Sequence, residues 1–230
     1  MATPSVSTLP RLKNGDRLTR FEFERRYQAM PGIKKAELIE GKVYMPSPVH
    51  ANAHARPQNI IAGWLLTYDA HTPGVLSYDN ATVQLDLDNE PQPDALLRID
   101  EACGGQSRIN DDDYIEGAPE LVVEVAHSSA AYDLHDKKRA YRRNGVQEYV
   151  VWQMEEARLD WFRLKDGAYT TQSPDENGCL HSTAFPGLVL DGEALLDENP
   201  AAVLTRLNEA LGSETHRNFV SRLEEARSDA

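Results

Sequence analysis

The segment LVVEVAHSSAAYDLHDKKRAYRRNGVQEYVVW, residues 121–152, carries the strongest fold signal in the chain. Its first six residues are apolar except for Glu124, which predicts a buried strand that carries one carboxylate. Residues 133–143 follow with helical spacing and end at Asn144-Gly145, a typical helix stop. Residues 146–153, VQEYVVWQ, predict the next strand. A strand, a helix and another strand in this order indicate a mixed α/β fold.

The rest of the chain predicts further strands and helices around this segment. Thr19 can cap a helix that stops before Pro31. The other predicted elements are a hairpin around Glu40-Gly41, an apolar helix within residues 50–68, strands within 74–88 and 91–100, a loop at 103–119, a hairpin meander at 159–178, a strand at 185–191 that closes the same sheet, and two helices between 200 and 226 divided near Gly212. Residues 1–15 are predicted to be a flexible arm, 16–195 the main domain and 196–230 a C-terminal helical extension.

Composition excludes several classes of protein. The chain has 230 residues, 40% of them apolar and 27% charged, which is ordinary for a soluble globular protein. No apolar run is long enough to span a membrane, and the N-terminal residues lack a signal peptide core. Cys103 and Cys179 stand far apart, so they predict neither a disulfide framework nor a zinc site and favour a reducing cytoplasm. The net charge of -13 argues against a general nucleic-acid binder but leaves DNA open as a substrate.

Two carboxylates predict an acidic site. Glu124 lies within an apolar strand, where an isolated charge is very costly. Asp94 follows Pro93 at the head of another predicted strand. If the two strands are neighbours, the carboxylates repel each other unless a cation lies between them. Few carboxylates and some water molecules are the ligands that suit Mg²⁺ or Mn²⁺.

The predicted helix adds a lysine to this site. Asp133, Lys137 and Tyr141 are spaced four residues apart and therefore share one helix face. A lysine beside a metal ion suits phosphodiester hydrolysis, because both cations stabilise charge on the phosphate. Taken singly, Asp133 with Lys137 is more often a solvated ion pair, and Asp94 a turn residue. Glu124 has no such structural explanation.

The combined motifs resemble a known family. Pro93-Asp94 followed by Glu124 in an apolar strand is similar to the PD-(D/E)XK nuclease superfamily, although Ala126 stands where that motif has its lysine. The chain more closely resembles the Uma-two family of restriction endonucleases. The motifs that carry this resemblance are AELIEG (36–41), PSPVHANAH (46–54), PD (93–94), LVVEVAHSS (121–129), DLHDKKRAY (133–141), GVQEYVVW (145–152) and FPGL (185–188).

The resemblance implies a restriction-endonuclease-like fold, a mixed β-sheet flanked by helices with a C-terminal helical appendage. It also implies a metal-dependent endonuclease that cuts DNA with Mg²⁺ or Mn²⁺. Asp94, Glu124 and the Val125 carbonyl would bind the metal ion, and Lys137, moved onto the helix, would be the catalytic lysine. Glu37 in AELIEG could be a further ligand or a structural cap.

Other polar residues are candidates for substrate contacts. His127 ends the strand that carries Glu124, and Lys138 and Arg142 belong to the most basic run, which could guide a phosphate backbone. His50 and His54 have a spacing that suits a metal pair but lack a third ligand, so zinc binding is disfavoured.

Two other functions remain open. The same fold could serve as a non-catalytic binding or assembly module, which the acidic charge and the missing strand lysine favour. It could also be a metal-dependent hydrolase of a smaller phosphate ester. A homodimer would let two sites address two DNA strands, and the sequence leaves this open.

Overall fold

A computed structural model describes residues 9–45, 55–127 and 129–229. His50, His54, Ser128 and residues 1–8 of the predicted arm lie outside these ranges. The helices are α1 (Arg20–Gln28), α2 (Arg56–Ala70), α3 (Ala130–Tyr132), α4 (Lys138–Asn144), α5 (Gly192–Leu196), α6 (Pro200–Leu211) and α7 (Glu214–Ser228), with a 3-10 turn at Glu101–Cys103 and a π-helical turn at Asp133–Lys137. The strands are β1 (Glu37–Ile39), β2 (Lys42–Tyr44), β3 (Val75–Asp79), β4 (Val83–Gln84), β5 (Ala95–Ile99), β6 (Arg108–Ile109), β7 (Ile115–Glu116), β8 (Leu121–Ala126), β9 (Glu148–Gln153), β10 (Arg158–Lys165), β11 (Ala168–Thr171), β12 (Cys179–His181) and β13 (Val189–Asp191).

A mixed six-stranded sheet forms the centre, with the strand order β11-β10-β9-β8-β5-β3. Strands β8 and β9 are parallel, and their other neighbours in this sheet are antiparallel. The parallel pair requires a crossover, which the helical segment α3 to α4 supplies. The predicted mixed α/β fold, a sheet flanked by helices, is confirmed.

The two faces of β8 bury different side chains. Leu121, Val123 and Val125 join the core that α2, α6 and α7 cover, whereas Val122 and Ala126 face the core beneath Tyr141 of α4. This division follows from strand alternation. Glu124 shares the face of Val122 and Ala126, so its side chain lies on the side of the sheet that the crossover segment covers.

The crossover segment differs from the predicted regular helix. It begins at Ala130 rather than Asp133, and residues Asp133–Lys137 form a π-helical turn. Such single turns are local expansions of an α-helix and occur frequently at functional sites. The predicted stop is confirmed, because Gly145 has φ 87 and caps α4.

Several smaller predictions were wrong. The second of the strands predicted within residues 74–88 ends at Gln84, and Leu87 is exposed. The predicted loop 103–119 contains the short strands β6 and β7, which form a separate sheet with β4 in the order β4-β7-β6. Residues 189–191 do not close the central sheet but pair with β12. The Thr19 side chain does not cap α1, where the Thr19 carbonyl instead accepts the Phe23 N–H bond.

The C-terminal helices pack into the central core. Val203, Leu207 and Leu211 of α6 are buried together with Phe219 and Leu223 of α7 against side chains of α2 and the sheet. The division between the two helices at Gly212 is as predicted. In the described part of the chain, no helix is long and apolar enough to cross a membrane.

Candidate active site

Glu124 lies at the centre of a cluster of buried charged side chains. Strand β8 is an interior strand, and the Glu124 side chain is only 3% exposed. Its Oε1 atom accepts hydrogen bonds from Lys137 Nζ at 2.9 Å and from Tyr141 Oη at 2.9 Å. Both donors come from the crossover segment, where the sequence predicted that Lys137 and Tyr141 share one helix face and that Lys137 reaches the carboxylates; the bond from Tyr141 to Glu124 was not predicted.

Asp94 reaches the cluster through the pairing of two strands. Strands β5 and β8 are antiparallel with Ala95 opposite Val123, so the same register places Asp94 opposite Glu124. Asp94 Oδ2 accepts a hydrogen bond from the Val125 N–H group at 2.9 Å. The structure therefore brings together Asp94, Glu124 and Lys137, the three residues predicted to be catalytic.

Glu37 connects the hairpin β1–β2 to this cluster. Glu37 Oε1 lies 2.9 Å from Lys137 Nζ and accepts the Gln92 N–H group at 2.8 Å. The adjacent Leu38 and Glu90 exchange backbone hydrogen bonds, which hold residues 90–92 beside β1. These contacts support a positioning role for Glu37, since one carboxylate oxygen holds both the lysine and the segment that leads to Asp94.

The π-helical turn contributes residues that the sequence reasoning had not assigned to the site. Asp133 Oδ1 lies 3.7 Å from Lys137 Nζ, and its Oδ2 accepts the Ser129 hydroxyl at 2.6 Å. The Tyr149 hydroxyl donates to the Asp133 carbonyl, which holds the turn against β9. The ring of Tyr132 lies 5.4 Å from Lys137 Nζ. The sequence shows that Asp133 and Tyr132 are close to Lys137 along the chain. It does not show that their side chains surround the Lys137 ammonium.

Lys35 is another residue that the sequence analysis missed. Its Nζ lies 3.4 Å from Asp94 Oδ1 and 3.3 Å from Asn80 Oδ1. The signal available in the sequence was its position two residues before Glu37, because residues i and i+2 of an extended segment point to the same side.

Burial shifts the pKa values in this cluster. Burial, reinforced by the negative charges of Asp94, Asp133 and Glu37, raises the pKa of Glu124 to about 8, although Lys137 opposes the shift. Burial also raises the pKa of Asp133. Burial disfavours the Lys137 ammonium, but the carboxylates of Glu124 and Glu37 outweigh it and raise the pKa of Lys137 well above its usual value. Lys137 is therefore a cation at neutral pH.

The cluster has an excess of negative charge. Glu37, Asp94, Glu124 and Asp133 supply four carboxylates, and Lys35 and Lys137 supply two ammonium groups. A bound cation would favour the ionised carboxylates and so lower the raised pKa of Glu124, and with all six residues ionised two negative charges remain, which match one divalent cation.

The donors also have the chemistry of a magnesium site. Within the described ranges no group of three or more His, Cys, Asp or Glu side chains is arranged to hold a metal ion. A Mg²⁺ site, however, needs only one or two carboxylates together with water molecules. The Val125 N–H group contacts Asp94, and the N–H and C=O groups of a strand residue point to the same side. The oxygen atoms of Asp94, Glu124 and the Val125 carbonyl are of the chemical type that a hard divalent ion prefers.

The residues predicted to contact substrate lie elsewhere. His127 Nδ1 lies 3.2 Å from Glu155 Oε1 at the end of β8. Lys138 Nζ lies 3.3 Å from the ring centre of Phe162, and Arg142 donates to the Gly167 carbonyl at 2.7 Å. Phe162 and Gly167 belong to the hairpin β10–β11 at the opposite edge of the sheet from β3 and β5. The structure does not bring Lys138 or Arg142 to Asp94.

Comparisons with known proteins identify the family and the fold. Residues 22–193 match the family model described as "Uma2: Putative restriction endonuclease". The fold is similar to a crystal structure described as "a putative nuclease belonging to DUF820 from Anabaena variabilis ATCC 29413". That similarity has a TM-score of 0.59 and 16% sequence identity, and covers 76% of this chain and 97% of that chain. At this identity the likeness concerns the fold alone. No curated protein matches the chain.

Proposed function

The chain belongs to the Uma2 family of putative restriction endonucleases, and from this premise we propose that it is a metal-dependent endonuclease that hydrolyses DNA phosphodiester bonds. The observation that carries the proposal is the meeting of Asp94, Glu124 and Lys137, which come from three elements and are all buried. Four carboxylates gathered around one lysine reduce stability, because each buried charge is costly. A functional role would account for their presence.

The metal ion would be held by Asp94, Glu124 and the Val125 carbonyl. Mg²⁺ or Mn²⁺, when bound, supplies an activated water and neutralises charge on the phosphate. Glu37 as a further ligand stays a prediction, because its Oε1 already holds Lys137 and the Gln92 N–H group.

Lys137 would act as a fixed positive charge. Its ammonium is anchored by Glu37 and Glu124, and the Tyr141 hydroxyl holds the same Glu124 oxygen. A cation that is already oriented stabilises developing negative charge without reorganisation, which is why such groups are effective in water-poor sites. Glu37 and Tyr141 would position Lys137 and Glu124 rather than touch the substrate.

The proposed substrate is DNA, and the proposed location is the cytoplasm. Substrate contacts by His127, Lys138 and Arg142 stay predictions, as does a homodimer. The acidic net charge means that a substrate must be held by local positive groups, since phosphate neutralisation dominates DNA affinity.

The proposal is tested by plasmid nicking with Mg²⁺ and Mn²⁺, each compared with EDTA. Asp94→Asn, Glu124→Gln and Lys137→Met are expected to abolish nicking that the native chain performs with metal. Asp160→Asn is a matched control, because Asp160 is also a buried carboxylate in the sheet but pairs with Arg158. Thermal unfolding of each variant shows whether it is folded.

The alternative function is a non-catalytic binding module. The observation that favours it is the position of Lys137, whose ammonium lies between Glu37 and Glu124 and neutralises part of the acidic cluster. A native chain that neither nicks DNA nor binds Mn²⁺ in calorimetry would support this module and contradict the endonuclease.

A further inference from the structure

Lys35 lies beside the proposed catalytic cluster but on its outer side. Its side chain is 24% exposed, whereas that of Lys137 is 3% exposed. Lys35 Nζ contacts Asp94 at 3.4 Å, a longer distance than the 2.9 Å contacts of Lys137. Lys35 is therefore the more accessible and more loosely held of these two lysines.

Polar side chains from two other elements surround the same side of Asp94. Gln58 of α2 donates to the Asp94 carbonyl at 3.3 Å and to Asp79 at 2.7 Å. Asn80, which follows β3, is exposed, has φ 51, and its N–H group contacts the Asp94 carbonyl at 3.4 Å. Lys35, Gln58 and Asn80 all carry side-chain hydrogen-bond donors, and all three residues contact Asp94.

The geometry points to Lys35 as a residue that binds a phosphate of the DNA substrate next to the bond that is cut. This inference rests on the proposed endonuclease function and adds a substrate contact to it. A lysine ammonium is a mobile point charge that binds phosphate oxygens readily. When DNA binds, the Lys35 ammonium leaves Asp94 Oδ1 and contacts a phosphate oxygen instead. No covalent bond is made or broken.

The other basic residues near the cluster are less suited to this role. Lys137 is enclosed by carboxylates. Arg139 pairs with Glu40 and Asp136, and Arg143 pairs with Glu40. These arginines therefore already have acidic partners outside the site, Glu40 in the turn between β1 and β2 and, for Arg139, also Asp136 in the π-helical turn. Lys35 contacts Asp94, the carboxylate that a phosphate at the site must approach.

The first test measures binding of a labelled 20-base-pair duplex by fluorescence anisotropy in EDTA at several salt concentrations. Lys35→Ala is expected to weaken binding about threefold to tenfold and to lower the slope of log affinity against log salt by about 0.9, the loss of one phosphate contact. Lys35→Arg should retain most of the affinity. Lys34→Ala is the matched control, because it removes the same charge from the neighbouring, more exposed position.

A second arm separates a phosphate contact from an effect on Asp94. In an Asp94→Asn background, Lys35→Ala should still weaken binding, because the contact is with DNA. If it has no effect there, Lys35 acts only by holding Asp94 and the inference is overturned. Equal losses for Lys34→Ala and Lys35→Ala would overturn it too, by showing a general charge effect.

The outcomes also separate this inference from the proposed function. A native chain that binds DNA in EDTA but never cuts it contradicts the endonuclease, while the binding data still decide the role of Lys35. A native chain that cuts DNA while Lys35→Ala binds as well as it does contradicts only the role of Lys35. A native chain that neither binds DNA in EDTA nor cuts it with Mg²⁺ or Mn²⁺ overturns both.

Discussion

Two buried glutamates four residues apart have different surroundings. Glu120 immediately precedes β8, and Glu124 lies within it. Glu120 accepts backbone N–H groups from Ile99 at 2.8 Å and Gln106 at 3.0 Å. Glu124 instead accepts hydrogen bonds from the side chains of Lys137 and Tyr141. Backbone donors fix a carboxylate as part of the fold, whereas side-chain donors can move and exchange partners.

Glu148 at the start of β9 resembles Glu120. Its carboxylate accepts hydrogen bonds from the hydroxyls of Ser182 and Thr183 and from the Thr183 N–H group, and it ties that loop to the sheet. A buried carboxylate is therefore not by itself a sign of a catalytic site. The distinguishing feature is a partner set of ionisable side chains from several elements.

The largest expected effect separates Glu124 from Glu120 by activity. Glu124→Gln should lower the metal-dependent cleavage rate by about 10²-fold to 10³-fold, because it removes a charge from the site. Glu120→Gln should leave the rate per folded molecule nearly unchanged. Cleavage assays on both variants, normalised to the folded fraction, check this, and equal losses would break the comparison.

The next effect concerns stability. Lys137→Met should lower the free energy of unfolding by about 3 kcal/mol at pH 7, because it leaves buried carboxylates without their cation. Adding Glu124→Gln should restore part of that loss. Urea denaturation measures both. If Lys137→Met alone were as stable as the native chain, the stability of the cluster would not depend on the Lys137 ammonium.

A pH-dependent effect tests whether a raised pKa alone identifies a site. Burial, together with Glu24, raises the pKa of Glu90, which lies outside the proposed site, to about 9. The folded chain therefore binds the proton of the Glu90 carboxyl more tightly than the unfolded chain does. The stability that this proton contributes is present in full below about pH 4.5 and is lost as the pH rises to about 9.

Glu90→Gln should consequently stabilise the chain at pH 9, on the order of 2 kcal/mol. The gain should vanish at pH 4, and cleavage should be unaffected. Thermal or urea unfolding across this pH range checks the stability change. A loss of activity in this variant would extend the site beyond the cluster around Glu124.

The smallest expected effect concerns Tyr141. Tyr141→Phe removes one hydrogen bond to Glu124 and should cost roughly 1.5 kcal/mol of stability, since hydrogen bonds to charged groups exceed neutral ones. Tyr169→Phe is a suitable control, because its hydroxyl donates to the Val146 carbonyl on the same side of the sheet. The cleavage rates of the two variants are then compared. A lower rate in Tyr141→Phe but not in Tyr169→Phe would show that the hydrogen bond to Glu124 affects activity.

Local patterns predicted much of this structure. The alternation of β8 identified which side chains share the face of Glu124, and the resemblance inferred from separate motifs is confirmed by the family match. The hairpin predicted within residues 159–178 is present as β10 and β11, and its turn residues Asp166 and Gly167 both have positive φ. These features depend on neighbours in the chain, which the sequence displays directly.

Other features escaped the sequence because they depend on distant pairings. The short strands β4, β6 and β7 are each two residues long, too short for any periodicity to indicate them. The π-helical turn has no spacing that distinguishes it from an α-helix. Lys35 looked like one of two adjacent surface lysines.

The sequence alone determined the local elements and the residue types able to bind a metal ion, because strand and helix periods place side chains on faces. Only the tertiary structure decided which carboxylates meet. The register of β5 against β8 brings Asp94 to Glu124, and the bridge between Leu38 and Glu90 brings Glu37 to Gln92, two residues before Asp94. The physical reason is that hydrogen-bond pairing between strands sets distances that separation along the chain does not encode.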